Sequence, residues 1–269
     1  MNAKSELPAL VDGKTRLYGI IGHPIEQVKS PELLTANFRK RGRNAIMLPF
    51  HVLPDQFDET MRGLMAMENL DGIVVTVPYK LRLLPFIKNV MPSAKRIGAV
   101  NATRREKDGT WSGDMFDGQG MVLGLRNNGF DVKGKRVMMA GAGGVGSAIA
   151  DALAAAGVKT LLIHDVDEKK AKDLAANVTK HHSHGDAHFS KPTLEGIDLL
   201  VNATAVGMDG NGMAAKFDKI NPKIFVFDVI THETPLLTFA RNSGCKVLGG
   251  LPMTQAQADL LVSFILGEA

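Results

Sequence analysis

Cysteine is almost absent: Cys245 is the only one in 269 residues. An intramolecular disulfide and a thiolate zinc cluster are therefore excluded, and no metal-binding spacing of other residues suggests a bound metal. Aromatics are scarce at 6%, with one Trp and two Tyr. A stacking platform for single-stranded nucleic acid is not expected from so few. No apolar run reaches the roughly 20 residues of a membrane span. The stretch from Met1 to Lys14 lacks the apolar core of a signal peptide, so a cytoplasmic location is the default expectation. Charge is mild, +4 with a pI near 9.1. Lys and Arg are scattered apart from short groups such as Arg39-Lys40-Arg41-Gly42-Arg43. That pattern reads as solvated faces rather than a nucleic-acid footprint, and the positive balance suits small anionic molecules.

The material present is that of an ordinary globular chain, 45% hydrophobic and 22% charged, with mean hydropathy near zero. The length fits one large or two ordinary domains. One stretch stands out, Val137 to Asp165. The apolar run Val137–Ala140 reads as a buried strand and enters Gly141-Ala142-Gly143-Gly144-Val145-Gly146. A small-residue helix over Ser147–Ala156 stops at Gly157, and a second apolar run, Thr160–Ile163, ends on His164 and Asp165. Strand, glycine turn, helix, strand and acid follow in the order that a dinucleotide site requires. Gly141 permits the tight turn, Gly143 lets a pyrophosphate approach the backbone, and Gly146 allows close helix–sheet packing. The helix N-terminus offers free N–H groups and a partial positive charge to phosphates. Asp165 stands near the spacing of roughly 20 residues expected of the acid that binds the adenosine ribose.

Elsewhere, strands are expected over Leu17–Ile21, Ala45–Phe50 and Leu70–Thr76, then over Asp198–Ala203, Ile224–Val229 and Lys246–Leu248. Residues 1–15 read as a loose lead-in, and Ile97–Thr103 with Thr110–Gly113 as a hairpin around Lys107-Asp108-Gly109. Helices are expected from Pro31 with Ser30 as N-cap, from Asp55, over Gly118–Asn127, over Glu168–Thr179, over Thr234–Asn242 and from Thr254 to Leu266. Alternating strands and helices argue for an α/β protein with two doubly wound, parallel-sheet domains.

Lys80 follows a strand that ends in Thr76-Val77-Pro78, and ligands in open α/β sheets bind beyond the carboxyl ends of strands. Taken singly, Lys80 is a solvated surface lysine and Asp117 a helix N-cap. Together with other segments they are more. Gly22-His-Pro-Ile-Glu-Gln-Val-Lys-Ser-Pro31, Val75-Thr-Val-Pro-Tyr-Lys80, Gly98-Ala-Val-Asn101 and Gly113-Asp-Met-Phe-Asp117-Gly resemble motifs of the shikimate dehydrogenase family. Asn202-Ala-Thr-Ala-Val-Gly-Met208 and Gly250-Leu-Pro-Met-Thr-Gln-Ala-Gln257 resemble its two later motifs, and all occur in family order over nearly the whole chain.

The resemblance implies reversible hydride transfer between NAD(P) and a ring alcohol, shikimate or quinate. It implies Lys80 and Asp117 as the catalytic pair, and Ser30, Thr76, Asn101 and Gln257 as substrate contacts. Gly141, Ala142, Gly143, Gly144, Val145, Gly146, Asp165, Asn202, Thr204 and Gly250 would serve the cofactor. The resemblance also implies a substrate domain over residues 1–121, joined by the C-terminal helix 252–269 that returns to it, and a Rossmann dinucleotide domain over residues 122–251. The chemistry suits these residue types, because oxidising an alcohol releases a proton along with the hydride. A lysine beside an orienting carboxylate can take that proton, while the cofactor carries the hydride.

Three departures bear on substrate and cofactor. Val28 stands where the family usually has a serine, so one carboxylate clamp is lost unless Lys29, Ser30 or Thr231 compensates. The loop from Val229 to Leu237 lacks the family's tyrosine, leaving Thr231 or His232 in its place. His164-Asp165-Val166 replaces the Asn-Arg-Thr of NADP users, and a carboxylate repels a 2′-phosphate. NAD is therefore expected over NADP, with Lys169 and Lys170 nearby as the argument for NADP. The expected partner is a small anionic hydroxy acid, with no nucleic acid and no membrane, acted on by a monomer or homodimer. The alternatives are a dehydrogenase for a modified shikimate such as aminoshikimate, or a nucleotide-binding sensor that lost turnover; the presence of both Lys80 and Asp117 speaks against the sensor.

Overall fold

Strands in the first and second halves of the chain collect into separate six-stranded sheets. The computed structural model describes residues 11–182 and 186–268; the expected lead-in lies outside these up to residue 10. The chain runs β1 (Arg16–Gly22), α1 (Ser30–Lys40), β2 (Ala45–His51), α2 (Phe57–Met65), β3 (Leu70–Val75), β4 (Asn89–Val90), α3 (Pro92–Ile97), β5 (Ala102–Arg105), β6 (Trp111–Asp114) and α4 (Asp117–Asn127). It continues through β7 (Arg136–Ala140), α5 (Gly144–Ala155), β8 (Thr160–His164), α6 (Glu168–His181), β9 (Asp186–Phe189), β10 (Leu199–Asn202), β11 (Phe225–Asp228), α7 (Pro235–Asn242), β12 (Val247–Leu248) and α8 (Leu251–Ile265). Among the described residues, no helix is long and apolar enough to cross a membrane.

The first sheet has the order β2-β1-β3-β5-β6-β4. Its central strands are apolar on both faces because both are covered. Ile21, Ile73 and Val75 pack under α2 and α3, while Tyr18, Ile20 and Val74 pack under α1 and α8. Helix α2 forms because Phe57 and Met61 recur one turn apart and both bury completely, with Asp58 and Glu59 favourable in the first turn. β1, β2 and β3 pair in parallel as expected, and the expected hairpin adds an antiparallel part: β5 runs antiparallel to β3 and to β6, the latter because the Lys107-Asp108-Gly109 turn is too short for a parallel crossover. The hairpin also starts later than expected: Pro92–Ile97 is a helix, and its left-handed terminator, Gly98, precedes the strand.

The second sheet is parallel throughout, in the order β12-β11-β10-β7-β8-β9. Val137, Met139, Leu161 and Ile163 face α4, α5 and α6, whereas Met138, Leu162 and Val226 face α7. The chain passes between the two domains through α4 and returns through α8. These helices pack closely on glycine. A Cβ on Gly120 would stand 2.6 Å from Gln257 Cβ, and one on Gly124 would stand 3.1 Å from the Met253 nitrogen. Helix α4 is continuous across positions 121 and 122, so the boundary expected there falls inside a helix.

Candidate active site between the two domains

Lys80 sits in a turn after β3, Asn101 just before β5, Asp117 at the first position of α4, and Gln257 on α8. The fold brings all four to one carboxylate. Asp117 Oδ2 accepts from Lys80 Nζ in an ion pair. Asp117 Oδ1 accepts from Asn101 Nδ2 at 2.8 Å and from Gln257 Nε2 at 3.3 Å. The Asn101 side-chain oxygen in turn accepts from the Phe116 N–H at 3.0 Å, and the Lys80 carbonyl accepts from the Val100 N–H at 2.9 Å. Side-chain exposure is 13% for Lys80 and 5% for Asp117, so water screens the pair little. A charge pair this buried holds only if its remaining lone pairs are satisfied, which Asn101 and Gln257 do for the carboxylate. Asp117 does not cap α4, since no side-chain cap bond exists at that helix start. Its carboxylate is committed to the lysine.

The glycine loop stands directly opposite. Helix α5 begins at Gly144, three residues earlier than expected, so Gly144, Val145 and Gly146 form its first turn. Gly141 has a φ of +110°, a left-handed conformation that side chains resist. A Cβ on Gly146 would lie 2.1 Å from the Gly141 carbonyl oxygen, so the turn closes only on glycine. A Cβ on Gly143, by contrast, would meet nothing within 4 Å. The first turn of α5 has no side-chain cap, leaving its N–H groups for an anion. This cradle fits the pyrophosphate of a dinucleotide. It also lies close to the other domain, since a Cβ on Gly144 would sit 3.9 Å from Lys80 Cβ.

Asp165 follows β8 and accepts from the Ala142 N–H at 2.8 Å and the Asp167 N–H at 3.0 Å. It thus ties the glycine loop to the strand end that would meet the adenosine ribose. Beside it, His164 Nδ1 is buried without a protein partner. The cations nearby are engaged with carboxylates: Lys169 with Asp173 at 2.6 Å and Lys170 with Asp167 at 3.9 Å.

Other candidates take different places. Asn202 is buried, donates to both oxygens of Asp228 at 3.1 Å, and accepts from the Thr204 N–H and hydroxyl. Asn202 and Thr204 therefore brace the loop behind Gly141, whose missing Cβ would fall 2.8 Å from Thr204 Cγ2. Asp228 is fully buried, and burial pushes its carboxyl above the ordinary value despite hydrogen bonds from Ile230, Asn202 and Thr234. Gly250 packs its backbone against Val229, where a Cβ would meet the carbonyl oxygen at 2.1 Å.

Thr76 leaves β3 beside Gly22, with its methyl 2.4 Å from where a Gly22 Cβ would be. Ser30 is not an N-cap. Lys29 holds that position in a helical conformation, so Ser30 is already inside the helix and no side chain caps it. Val28 packs against the apolar cluster of Ile25, Leu34, Phe116 and Ala258. Lys29 is exposed and pairs loosely with Glu32 at 3.9 Å. Thr231 is exposed, and His232 Nε2 bonds the Met208 carbonyl at 2.9 Å, tying two loops of the second domain together.

A phosphate cradle on one domain facing a buried lysine–carboxylate pair on the other defines a two-domain, dinucleotide-dependent oxidoreductase. Residues 20–103 match the profile of the shikimate dehydrogenase substrate binding domain, and residues 128–230 match that of the ThiF family. The shikimate dehydrogenase (NADP(+)) of Caldanaerobacter subterraneus subsp. tengcongensis is 33% identical over 96% of this chain and 94% of its own. The crystal structure of the Aquifex aeolicus shikimate dehydrogenase superposes with a TM-score of 0.86 at 31% identity, covering 96% of this chain and 94% of that one. The shikimate 5-dehydrogenase of Listeria monocytogenes, in complex with shikimate and NAD, gives a TM-score of 0.84 at 28% identity, with coverage of 96% and 94%. The chain belongs to the shikimate dehydrogenase family.

Proposed function

We propose that this protein oxidises and reduces a ring alcohol of a small anionic hydroxy acid, shikimate or quinate, with Lys80 as general acid/base and Asp117 as its partner. The observation that carries the reading is the Lys80–Asp117 ion pair set beside Gly144 of the phosphate cradle. The first turn of α5 and the loop from Gly141 would hold the dinucleotide, which would supply the hydride acceptor or donor for the carbinol carbon. In the reduction direction the Lys80 ammonium donates a proton to the carbonyl oxygen while Asp117 holds it in line; in the oxidation direction Lys80 first releases that proton to solvent, and its neutral amine then takes the hydroxyl proton. Thr76, Asn101 and Gln257 hold substrate hydroxyls around that carboxylate, and Ser30 takes the acid end. Residues 1–121 with the C-terminal helix 252–269 serve as the substrate domain, and residues 122–251 as the dinucleotide domain. The reaction is placed in the cytoplasm, in a monomer or homodimer.

The preferred cofactor is NAD. The relative named above carries NADP(+) in its name, which runs against this preference. Three features support it. Asp165 puts a carboxylate at the ribose end of the site, the Val166 that follows is almost fully exposed and carries no charge, and Lys169 and Lys170 face carboxylates of their own. A 2′-phosphate there meets the Asp165 charge, and Lys169 or Lys170 would have to leave its own carboxylate to offset it. A second reading, a modified ring acid such as an aminoshikimate, draws on Val28, which offers an apolar surface where a hydroxyl would bind a carboxylate.

The test is reduction of NAD and NADP over shikimate, quinate and amino analogues, with Lys80→Ala as control. Turnover of one ring acid that is abolished by the substitution is the expected result. Turnover that survives it refutes the assigned mechanism.

A further inference from the structure

One stripe of α5 faces the first domain along its length: Gly144, Ala148, Asp151 and Ala152, at helical spacing. Gly144 meets Lys80. Ala148 belongs to the apolar cluster of Ile73 and Val100 in the first domain. A Cβ on Gly118 of α4 would stand 2.0 Å from the Ala148 carbonyl oxygen and 2.7 Å from Ala152 Cβ. At the far end of the stripe, Asp151 receives a bidentate ion pair from Arg96 of α3, with Nε to Oδ1 at 3.1 Å and Nη2 to Oδ2 at 3.0 Å. His182, just past α6, adds Nε2 to Oδ1 at 2.7 Å. Asn177 of α6 donates to the Arg96 carbonyl at 2.8 Å. Burial alone would raise the Asp151 carboxyl; the hydrogen bonds from Arg96 and His182 outweigh it and hold the group below its ordinary value.

We propose that Arg96, Asp151 and His182 form an interdomain clasp of positioning residues, which holds the phosphate-binding end of α5 at a set distance from Lys80. The proposal rests on the reading of Lys80 as acid/base. Its mechanics follow from stiffness. The helix runs about 1.5 Å per residue, so the clasp and the phosphate cradle are about 10 Å apart on one rigid rod. The fork of Arg96 fixes direction as well as distance, which a single lysine contact cannot do. The clasp fastens α3 of the substrate domain to two helices of the dinucleotide domain, and none of its members enters the site itself.

Trp111, the only tryptophan, lies buried in β6 of the first sheet. A reduced dinucleotide held by the second domain accepts its emission, so energy transfer reports the separation of the domains without any turnover. In Arg96→Ala and Asp151→Asn the transfer efficiency is expected to shift. In the same variants kcat should fall about 10-fold or more, as a displacement near 1 Å does, while KM for the dinucleotide changes little. Arg96→Lys should restore part of both effects, which also guards against a variant that merely folds poorly. Unchanged transfer with unchanged kcat overturns the clasp. A loss of dinucleotide affinity matching the loss of kcat, with unchanged transfer, overturns it too, because that pattern marks local damage to the second domain. A parent enzyme that turns over none of the ring acids, yet whose variants shift the transfer, sinks the substrate reading and leaves the clasp standing.

Discussion

Replacing Asp117 by asparagine keeps the shape of the side chain and removes its charge. The change is severe because both oxygens are in use: Lys80 donates to one, and Asn101 with Gln257 to the other. An asparagine amide group must turn toward one set of donors or the other, so at least one buried donor loses its acceptor, at about 1–3 kcal/mol. The Lys80 ammonium also loses its counter-charge. Breaking a buried pair costs about 3–5 kcal/mol, and the residual exposure of Lys80 lets water return part of it. A net destabilisation of about 2–4 kcal/mol is expected, lowering Tm by roughly 5–15 °C. Turnover should fall by about 10²- to 10⁴-fold, the range for a lost or misaligned acid/base. Dinucleotide affinity measured by calorimetry should hold, because the cradle from Gly141 to Gly146 lies on the other domain. Adding Lys80→Ala to Asp117→Asn removes the orphaned ammonium, and the pair should be more stable than the sum of the singles by about 0.5–3 kcal/mol. An Asp117→Asn enzyme with the parent's kcat, or strict additivity in the double variant, would refute the reasoning.

Asp165→Asn keeps an acceptor for the Ala142 N–H but removes the carboxylate charge, and the ratio of kcat/KM for NADP over NAD should rise about 10-fold, or ~1.4 kcal/mol; an unmoved ratio means that Asp165 does not choose the cofactor. Val28→Ser exchanges apolar packing against the cluster around α1 and α8 for a hydroxyl, and should cost about 1 kcal/mol of stability while raising kcat/KM for shikimate; no rise means that the acid end of the substrate lies elsewhere. Asp151 is held below its ordinary carboxyl value, so its contribution to stability is present above that value and is lost as pH falls through its folded value. Denaturation of the parent and Asp151→Asn should differ by about 1.5–3 kcal/mol at neutral pH, and the gap should begin to close only once pH falls below the ordinary carboxyl value; a constant gap across pH counts against the ion pair.

What could be read in advance divides by range of interaction. The glycine loop was legible because its demands are local: a left-handed turn at Gly141 and a backbone contact at Gly146 leave no other residue type. Lys80, Asp117, Asn101 and Gln257 were recognisable through motifs, yet that they meet on one carboxylate is tertiary. Helix α3 escaped because six residues with a single fully buried side chain, Ala94, carry too little periodicity. Strand β4 has two residues, and β9 is an edge strand whose buried positions are only partial. Ser30 misled because a hydroxyl before proline marks a cap only if its own backbone is extended, and here the chain has already turned at Lys29. Arg96, Asp151 and His182 had no sequence signature, since nothing but the packing of α3 on α5 and α6 makes them neighbours.

Helix α4 begins at Asp117, the partner of Lys80, and runs on into the second half of the chain, with its glycines pressed against α5 on one side and α8 on the other. That arrangement limits how the protein can be rebuilt. Exchanging the dinucleotide domain for another by cutting between positions 121 and 122 would sever a helix whose first residue pairs with Lys80 and whose flanks fit only matched backbones. A working chimera has to carry α4, α5 and α8 as one cassette, so altering cofactor choice is better attempted at Asp165 than by module swapping.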